Sequence, residues 1–199
     1  MIDGTAFIHP KAIVENDQIG ANTSVYAFVH ILPGAIIGSD CNINDHCFIE
    51  GDVVLGDRVT VKCGNYLWNG LRVGSDAFLG PNVVYTNDAS PRSKRYPERF
   101  LPIHIGQGAS IGANSVLLGG IQIGKYAMVG MGSVVTRDVA DFSLVFGNPA
   151  RHRGYVCHCG TKLAEVEAKP DQLACAHCGA QFRLNDGKVV ILKQGTGPR

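Results

Sequence analysis

The chain has 199 residues, 45% hydrophobic and 18% charged, with a formal net charge of +1. That balance gives one globular core with room for a small appendage, and near-neutrality removes the electrostatic reason to expect nucleic acid or an anionic membrane as a partner. No basic leader followed by an apolar run opens the chain, and no stretch of about 18 apolar residues occurs, so the expectation is a cytoplasmic protein without membrane insertion.

From Ile13 the chain carries Ile, Leu or Val at every sixth position, through Ile19, Val25, Ile31, Ile37, Ile43, Ile49, Leu55, Val61, Leu67, Val73 and Leu79, until Tyr85 takes the next beat. Those three residue types make up 48 of 199 residues, too few for such a run to arise by chance. A period of six suits neither an amphipathic helix nor a lone alternating strand. It suits an all-β solenoid of short strands and tight turns, three hexads to a coil, in which one branched side chain per hexad points to the axis and stacks on its copy a coil away. Successive coils then satisfy each other's backbone in parallel ladders. Four residues after the beat stand small or aliphatic side chains, among them Thr23, Ala35, Cys41, Cys47 and Ala77. These fit inward beside a corner, which makes Cys41 and Cys47 core thiols.

The stretch "TNDASPRSKRYPERF" interrupts the beat. Tyr85 and Ile105 are 20 positions apart, one hexad plus 14, so a loop over about 86–102 leaves the coil. A loop of that length on so economical a scaffold is usually functional. Asp88 and Glu98 face Arg92, Lys94, Arg95 and Arg99, a positive excess that reads either as a flap over an anionic substrate or as a solvated surface loop. The beat then resumes at Ile105, Ile111, Leu117, Ile123, Val129 and Val135.

The tail follows a different rule. Four of the seven cysteines gather as "CHCG" and "CAHCG", Cys157 and Cys159 followed by Cys175 and Cys178. Two close thiolate pairs joined by a short excursion are what tetrahedral zinc requires, so the tail reads as a structural zinc ribbon with no open coordination position for catalysis. Gly160 and Gly179 let each knuckle turn tightly, His158 and His177 lie within the knuckles as non-ligands, "KVVILK" reads as a strand of the ribbon, and "QGTGPR" as a frayed end. An odd cysteine count split in this way suits a reducing compartment better than a disulfide framework.

The hexads "IGSDCN", "LGDRVT", "IGANSV" and "VGMGSVVTRDV", closed by "VFGNPAR", resemble the hexapeptide-repeat acyltransferases over roughly residues 7–153. The resemblance implies a left-handed parallel β-helix domain over 1–153, with the zinc-ribbon-like tail at 154–199. Within that family, "KCGNYLWNG", "FLGPNVVYTND" and "PRSK" with its following "PE" resemble enzymes that acetylate the 3-amino group of a deoxyhexose carried by dTDP or UDP, although Asn69 stands where that pattern usually has Asp. The resemblance implies an acetyl-CoA-dependent N-acetyltransferase acting on a nucleotide sugar and assembled as a homotrimer, with acetyl-CoA laid along the C-terminal coils in clefts between chains.

The chemistry asks for alignment of a neutral amine with the thioester and stabilisation of the oxyanion, with a base useful but not obligatory. The family match "TND" makes Asn87 the first choice for orienting amine or thioester, with Asp88 beside it, although "ND" before a loop is also an ordinary turn signal. His30 is the preferred candidate base, ahead of His46 and His104, with a structural hydrogen bond to a turn as its alternative role. Arg92 is expected near a phosphate or sugar oxygen. Trp68, outward beside Tyr66, packs between chains or stacks on a base, next to Asn69. By resemblance, Lys125, Arg137 and Arg151 meet the phosphates of the cofactor, and backbone near Ala113, Gly130 and Met131 lines its pantetheine arm. Three histidines at metal-binding spacing for a carbonic anhydrase are missing. Acyl transfer to another acceptor, such as serine or an antibiotic, and a non-catalytic trimeric scaffold remain as alternatives.

Overall fold

A computed structural model describes residues 1–165, 172–185 and 188–195. The last four residues of the "QGTGPR" segment lie outside the described residues. Nearly every hexad from Phe7 to Val135 forms a strand of two residues, and the strands stack in parallel ladders on three faces. The first face begins with Phe7–Ile8, Ser24–Val25 and Asn42–Ile43. The second holds Ile13–Val14, His30–Ile31, Phe48–Ile49 and Tyr66–Leu67, then, as a separate ladder, Val84–Tyr85, Val116–Leu117 and Val134–Val135. The third runs Ile36–Ile37, Val54–Leu55, Leu71–Val73, Ile103–Ile105 and Gln122–Ile123. The result is an all-β parallel solenoid of stacked coils, with no helix among the described residues.

The six-residue period has a backbone cause as well as a packing one. The third residue after most beats takes positive φ, as at Asn22, Asp40, Asn82 and Asn114, and at Gly34, Gly64 and Gly132 where no side chain opposes it. That residue turns each corner. The beat residue and the small residue before the next strand both point inward: Ile31, Ile43, Ile49, Leu67 and Leu79 are fully buried, as are Thr23, Val29, Ala35, Val53 and Val59. Cys41 and Cys47 are buried with them, their thiols near the Gly56 and Lys62 carbonyls at 3.2 and 3.3 Å, and burial raises both, Cys47 to about 11.

The series departs from expectation at its start. Ile13 is 57% exposed, and Val14 takes the inward place. Phe7 pairs with Ser24 and Ile13 with His30, offsets of 17, whereas Ser24 pairs with Asn42 at 18. The first coil is one residue short, so everything before its last corner is shifted by one and alternation turns Ile13 outward. Buried Asn16 bridges the shortened corner, its Nδ2 donating to the Ala35 carbonyl at 2.7 Å.

At the far end, Ser143–Gly147 continues the first face and Ala150–Val156 folds back on it antiparallel. Val139, Val145 and Ala150 close the core there. Lys162–Glu165 extends that sheet, while Gln172–Ala174, Gln181–Asn185 and Lys188–Lys193 form a three-stranded antiparallel sheet. "KVVILK" is therefore a strand. Its cluster around Phe182 reaches back to Phe142 and Tyr126 of the last coil.

The outward residues separate the faces. The first face mixes Ser24, Asn42, Thr60 and Ser110 with Phe7, Phe78 and Met128, and the third mixes Arg72, His104 and Gln122 with Ile36 and Val54. The second shows Ile13, His30, Phe48, Tyr66, Val84, Val116 and Val134, an apolar stripe along the whole helix.

Candidate functional site

Residues 86–102 leave the corner between the second and third faces, and their root is tied into the coils on both sides. The Leu101 amide donates to the Asn87 carbonyl at 2.8 Å, the Ile103 amide to the Gly70 carbonyl at 3.2 Å, and the Gly120 amide to the Pro102 carbonyl at 2.9 Å. The Gly119 amide donates to Thr86 Oγ1 at 3.0 Å. Asn87 is half-buried, and its Nδ2 donates to the Asn69 carbonyl at 3.3 Å. The Asn69 turn is held from the previous coil: its amide donates to Glu50 Oε2 at 2.6 Å, and its Oδ1 accepts from the Asp52 amide at 2.9 Å.

Asn69 and Asn87 thus meet at the loop root, with Trp68 on the same corner. Asp88 turns away from them: its Oδ1 accepts from the Ser90 amide at 2.8 Å, closing an Asx turn. Arg92 lies further out, exposed, its Nη1 donating to the Pro91 carbonyl. Trp68 is half-buried, parallel to Tyr66 at 6.1 Å and tilted against Phe48 at 5.8 Å, and Phe48 meets His30 edge-on at 5.4 Å. These rings form an aromatic row. His30 lies two coils before Tyr66, roughly 10 Å away at the usual strand spacing, and its Nε2 is 2.9 Å from Glu15 Oε1. Within one chain the loop root and His30 are not brought together.

The expected cofactor residues fall on different corners. Ala113, Gly130 and Met131 stand between the first and second faces, where the Gly132 amide donates to the Ala113 carbonyl at 2.8 Å and Met131 is 82% exposed. Arg137 and Arg151 line one hollow of about 360 Å3 at the C-terminal end, together with Thr136, Asp138, His152 and Tyr155. Lys125 is on the third corner, its amide bound to Asp141 Oδ1 at 2.8 Å, and lines a groove along the third face with Arg72 and His104. It does not share the hollow.

The four tail cysteines converge. Their Sγ atoms all lie within 4.8 Å of one another, Cys157 to Cys178 at 3.5 Å and Cys159 to Cys175 at 3.6 Å. Four sulfurs on bonds of about 2.3 Å at tetrahedral angles stand about 3.8 Å apart, so the set fits a tetrathiolate metal. Burial pushes the Cys157 thiol up. At Cys175 burial opposes ionisation too, but the Cys178 and His177 amides and the neighbouring thiols bring it down to about 6. Gly160 and Gly179 turn the knuckles at φ of 88° and 72°.

Two features go beyond the sequence expectations: the stacking of His46, expected there only as a weaker candidate base, on Phe28, and the isolation of His152. Phe28 and His46 occupy corner positions with φ near 60° that elsewhere favour Gly or Asn, and their rings stack at 4.9 Å. A bulky aromatic at that hexad position is the signal that would have flagged them. His152 carries a buried Nε2 with no hydrogen-bond partner among the described residues; nothing in the sequence distinguishes it.

The family pattern described as Bacterial transferase hexapeptide (six repeats) matches residues 18–51 and 102–137. Over 188 residues, 94% of this chain and 96% of the relative, the sequence is 57% identical to the dTDP-3-amino-3,6-dideoxy-alpha-D-galactopyranose 3-N-acetyltransferase of Aneurinibacillus thermoaerophilus. It is 31% identical over 138 residues to the bifunctional protein GlmU of a Synechococcus strain, covering 69% of this chain and 28% of that protein. Among solved structures, an N-acyltransferase from Bacillus cereus, crystallised as a mutant with dTDP and coenzyme A, matches with a TM-score of 0.53 and 20% identity over 77% of this chain and 79% of that one. That last likeness is one of fold.

Proposed function

The chain belongs to the hexapeptide-repeat transferases, in the group of dTDP-amino-sugar N-acetyltransferases, and on that premise we propose that it transfers the acetyl group of acetyl-CoA to the amine of a dTDP-linked 3-amino-3,6-dideoxyhexose. The observation that carries the reading is 57% identity across nearly the whole of both chains. In the reaction the free amine attacks the thioester carbonyl, the carbon–sulfur bond breaks, and coenzyme A leaves as the thiol while the nitrogen loses a proton. Asn87, fixed at the loop root, orients the amine or the oxyanion. Arg92 binds sugar-nucleotide phosphate, and Trp68 and Asn69 border the acceptor. His30, paired with Glu15, is the base if one acts.

The apolar second face supports a homotrimer. Three copies packed through that face hide Ile13, Tyr66 and Val84, and set the Ala113–Met131 corner of one chain against the loop corner of the next. Asn87 and Arg137 of one subunit and Met131 of its neighbour then border one cleft. Tyr96, 85% exposed on the loop, reaches the neighbour in this arrangement.

The tail, from about residue 154, holds a structural zinc through Cys157, Cys159, Cys175 and Cys178, whose part is to fix the knuckles. About one zinc per chain is expected, lost in Cys175→Ser. Seven cysteines, none of them in a disulfide, suit a cytoplasmic setting.

Purified protein given acetyl-CoA and a dTDP-3-amino-3,6-dideoxyhexose should release coenzyme A thiol in step with N-acetylated product. UDP- and GDP-amino sugars should react more slowly. Absence of thiol release with every amino sugar, from protein that is folded and metal-loaded, would overturn the assignment.

A further inference from the structure

Tyr155 belongs to two neighbourhoods at once. It is 6% exposed within the ribbon's apolar cluster beside Cys157, Cys175 and Phe182, and it also lines the hollow at the end of the helix. Its ring meets that of His152 edge-on at 4.8 Å. Both residues lie on Ala150–Val156, one continuous strand whose next residue is Cys157, and the Val156 amide donates to the Phe142 carbonyl at 2.8 Å. The knuckle and the hollow therefore share a backbone and a packed side chain.

The hollow itself lacks something to bind. His152 Nε2 is buried there without a partner, and an unmet ring nitrogen in such a place costs free energy until a ligand or water meets it. Arg137 and Arg151 stand at the same hollow, exposed, and the Arg151 guanidinium donates to the Ala150 carbonyl. The acid in the lining, Asp138, is engaged by the Gln122 amide at 2.8 Å. Two exposed guanidinium groups at a hollow that the His152 ring also lines have the make-up of an anion site.

We propose that the cysteine cluster is a positioning device for this hollow: with Cys157 fixed in a metal-bound knuckle, Tyr155 holds His152 so that its buried ring nitrogen meets a phosphate of coenzyme A seated beside Arg137 and Arg151. The inference rests on the coenzyme A-dependent reading above. The apolar cluster around Tyr155 is small, and Cys157, Cys175 and Cys178 are three of its nine buried members, so loss of the metal that would fix those three loosens the hold on Tyr155. His152 and Tyr155 thereby enter the site as a binding and a positioning residue.

The test is calorimetric titration of the full chain with coenzyme A, 3′-dephospho-CoA and dTDP. Cys175→Ser, checked for metal loss and an intact helix, Tyr155→Leu, which keeps all four cysteines, and His152→Ala should each weaken coenzyme A about tenfold and leave dTDP unchanged, as expected for one lost charge-assisted contact. Combining His152→Ala with Cys175→Ser should add little to either alone, since both remove the same contact. If the variants no longer differ from wild type on 3′-dephospho-CoA, the contact is to the 3′-phosphate; if they still differ, it is to the diphosphate. A merely structural ribbon would lower the melting temperature and spare these ratios. Unchanged coenzyme A affinity in metal-free Cys175→Ser and in Tyr155→Leu, or an equal loss on dTDP, overturns the inference alone. Wild-type protein that binds no coenzyme A would take the functional reading down with it.

Discussion

Gly119 and Gly120 are adjacent, and replacing each by Ala should do different things. A Cβ on Gly119 would lie 2.7 Å from the Thr86 carbonyl oxygen, 3.0 Å from Leu101 Cβ and 3.2 Å from Asn87 Cα, all at the root of the loop. Carbon–oxygen contacts relax only beyond roughly 3.4 Å, so the root must move by several tenths of an ångström, at a cost of about 1–3 kcal/mol. A shift of about 1 Å in a reacting group costs on the order of a hundredfold, so this smaller displacement of Asn87 should lower kcat about tenfold. A Cβ on Gly120 meets nothing within 4 Å, but the residue sits at φ +87°. Gly120→Ala should therefore cost about 1–2 kcal/mol of backbone strain and a few degrees of melting temperature while kcat holds. Steady-state kinetics and thermal melts of the two variants decide the matter. Wild-type turnover in Gly119→Ala together with a crippled Gly120→Ala would refute the placing of the reacting groups at this root.

Asn87→Ala should lower kcat on the order of tenfold to a thousandfold, and Arg92→Ala should mainly raise KM for the sugar nucleotide with acetyl-CoA saturating, because the phosphate contact is made in ground and transition states alike; unaltered constants in both would make the loop a surface excursion. Ile49→Ala, at a fully buried stacking position, should destabilise the helix by about 2–5 kcal/mol in denaturant titrations, and a loss below about 1 kcal/mol would contradict the stacked core. Thiol labelling of native, metal-loaded protein should modify Cys63 alone, since Cys41 and Cys47 are buried with raised thiols and the proposed zinc would hold the tail cysteines; a chelator should then open the tail to reagent while Cys41 and Cys47 stay silent. Mass spectrometry of the labelled peptides reads this directly.

The solenoid was legible because its cause repeats: Ile31, Ile49 and Leu67 stack at one position, and each repeat states the rule again. Where a rule is stated once, reading failed. The short first coil shifts the register by a single residue, and only pairing shows that Val14 and not Ile13 faces the axis. The cysteine cluster was legible through spacing, because a metal imposes its geometry locally. The resemblance names Arg137, Arg151 and Lys125 together, and the coil places Lys125 on another corner, since sequence distance along a solenoid does not report which face a corner residue joins. His152 could not be read at all, because its isolation is a property of its surroundings. The cleft proposed between subunits lies beyond any single chain, and the apolar stripe on the second face is what supports it.

The most direct measurement is therefore complementation between subunits. Asn87→Ala and Met131→Asp should each be nearly inactive, as they disable opposite walls of one cleft. Mixed in equal amounts, unfolded and refolded together, they should form trimers in which a site is intact whenever a Met131→Asp chain supplies the loop and an Asn87→Ala chain supplies the facing corner, restoring about a quarter of wild-type activity. Mixed trimers, verified by native mass spectrometry, that remain as inactive as their parents, or a Met131→Asp homotrimer with full activity, would contradict a site built between copies of this chain.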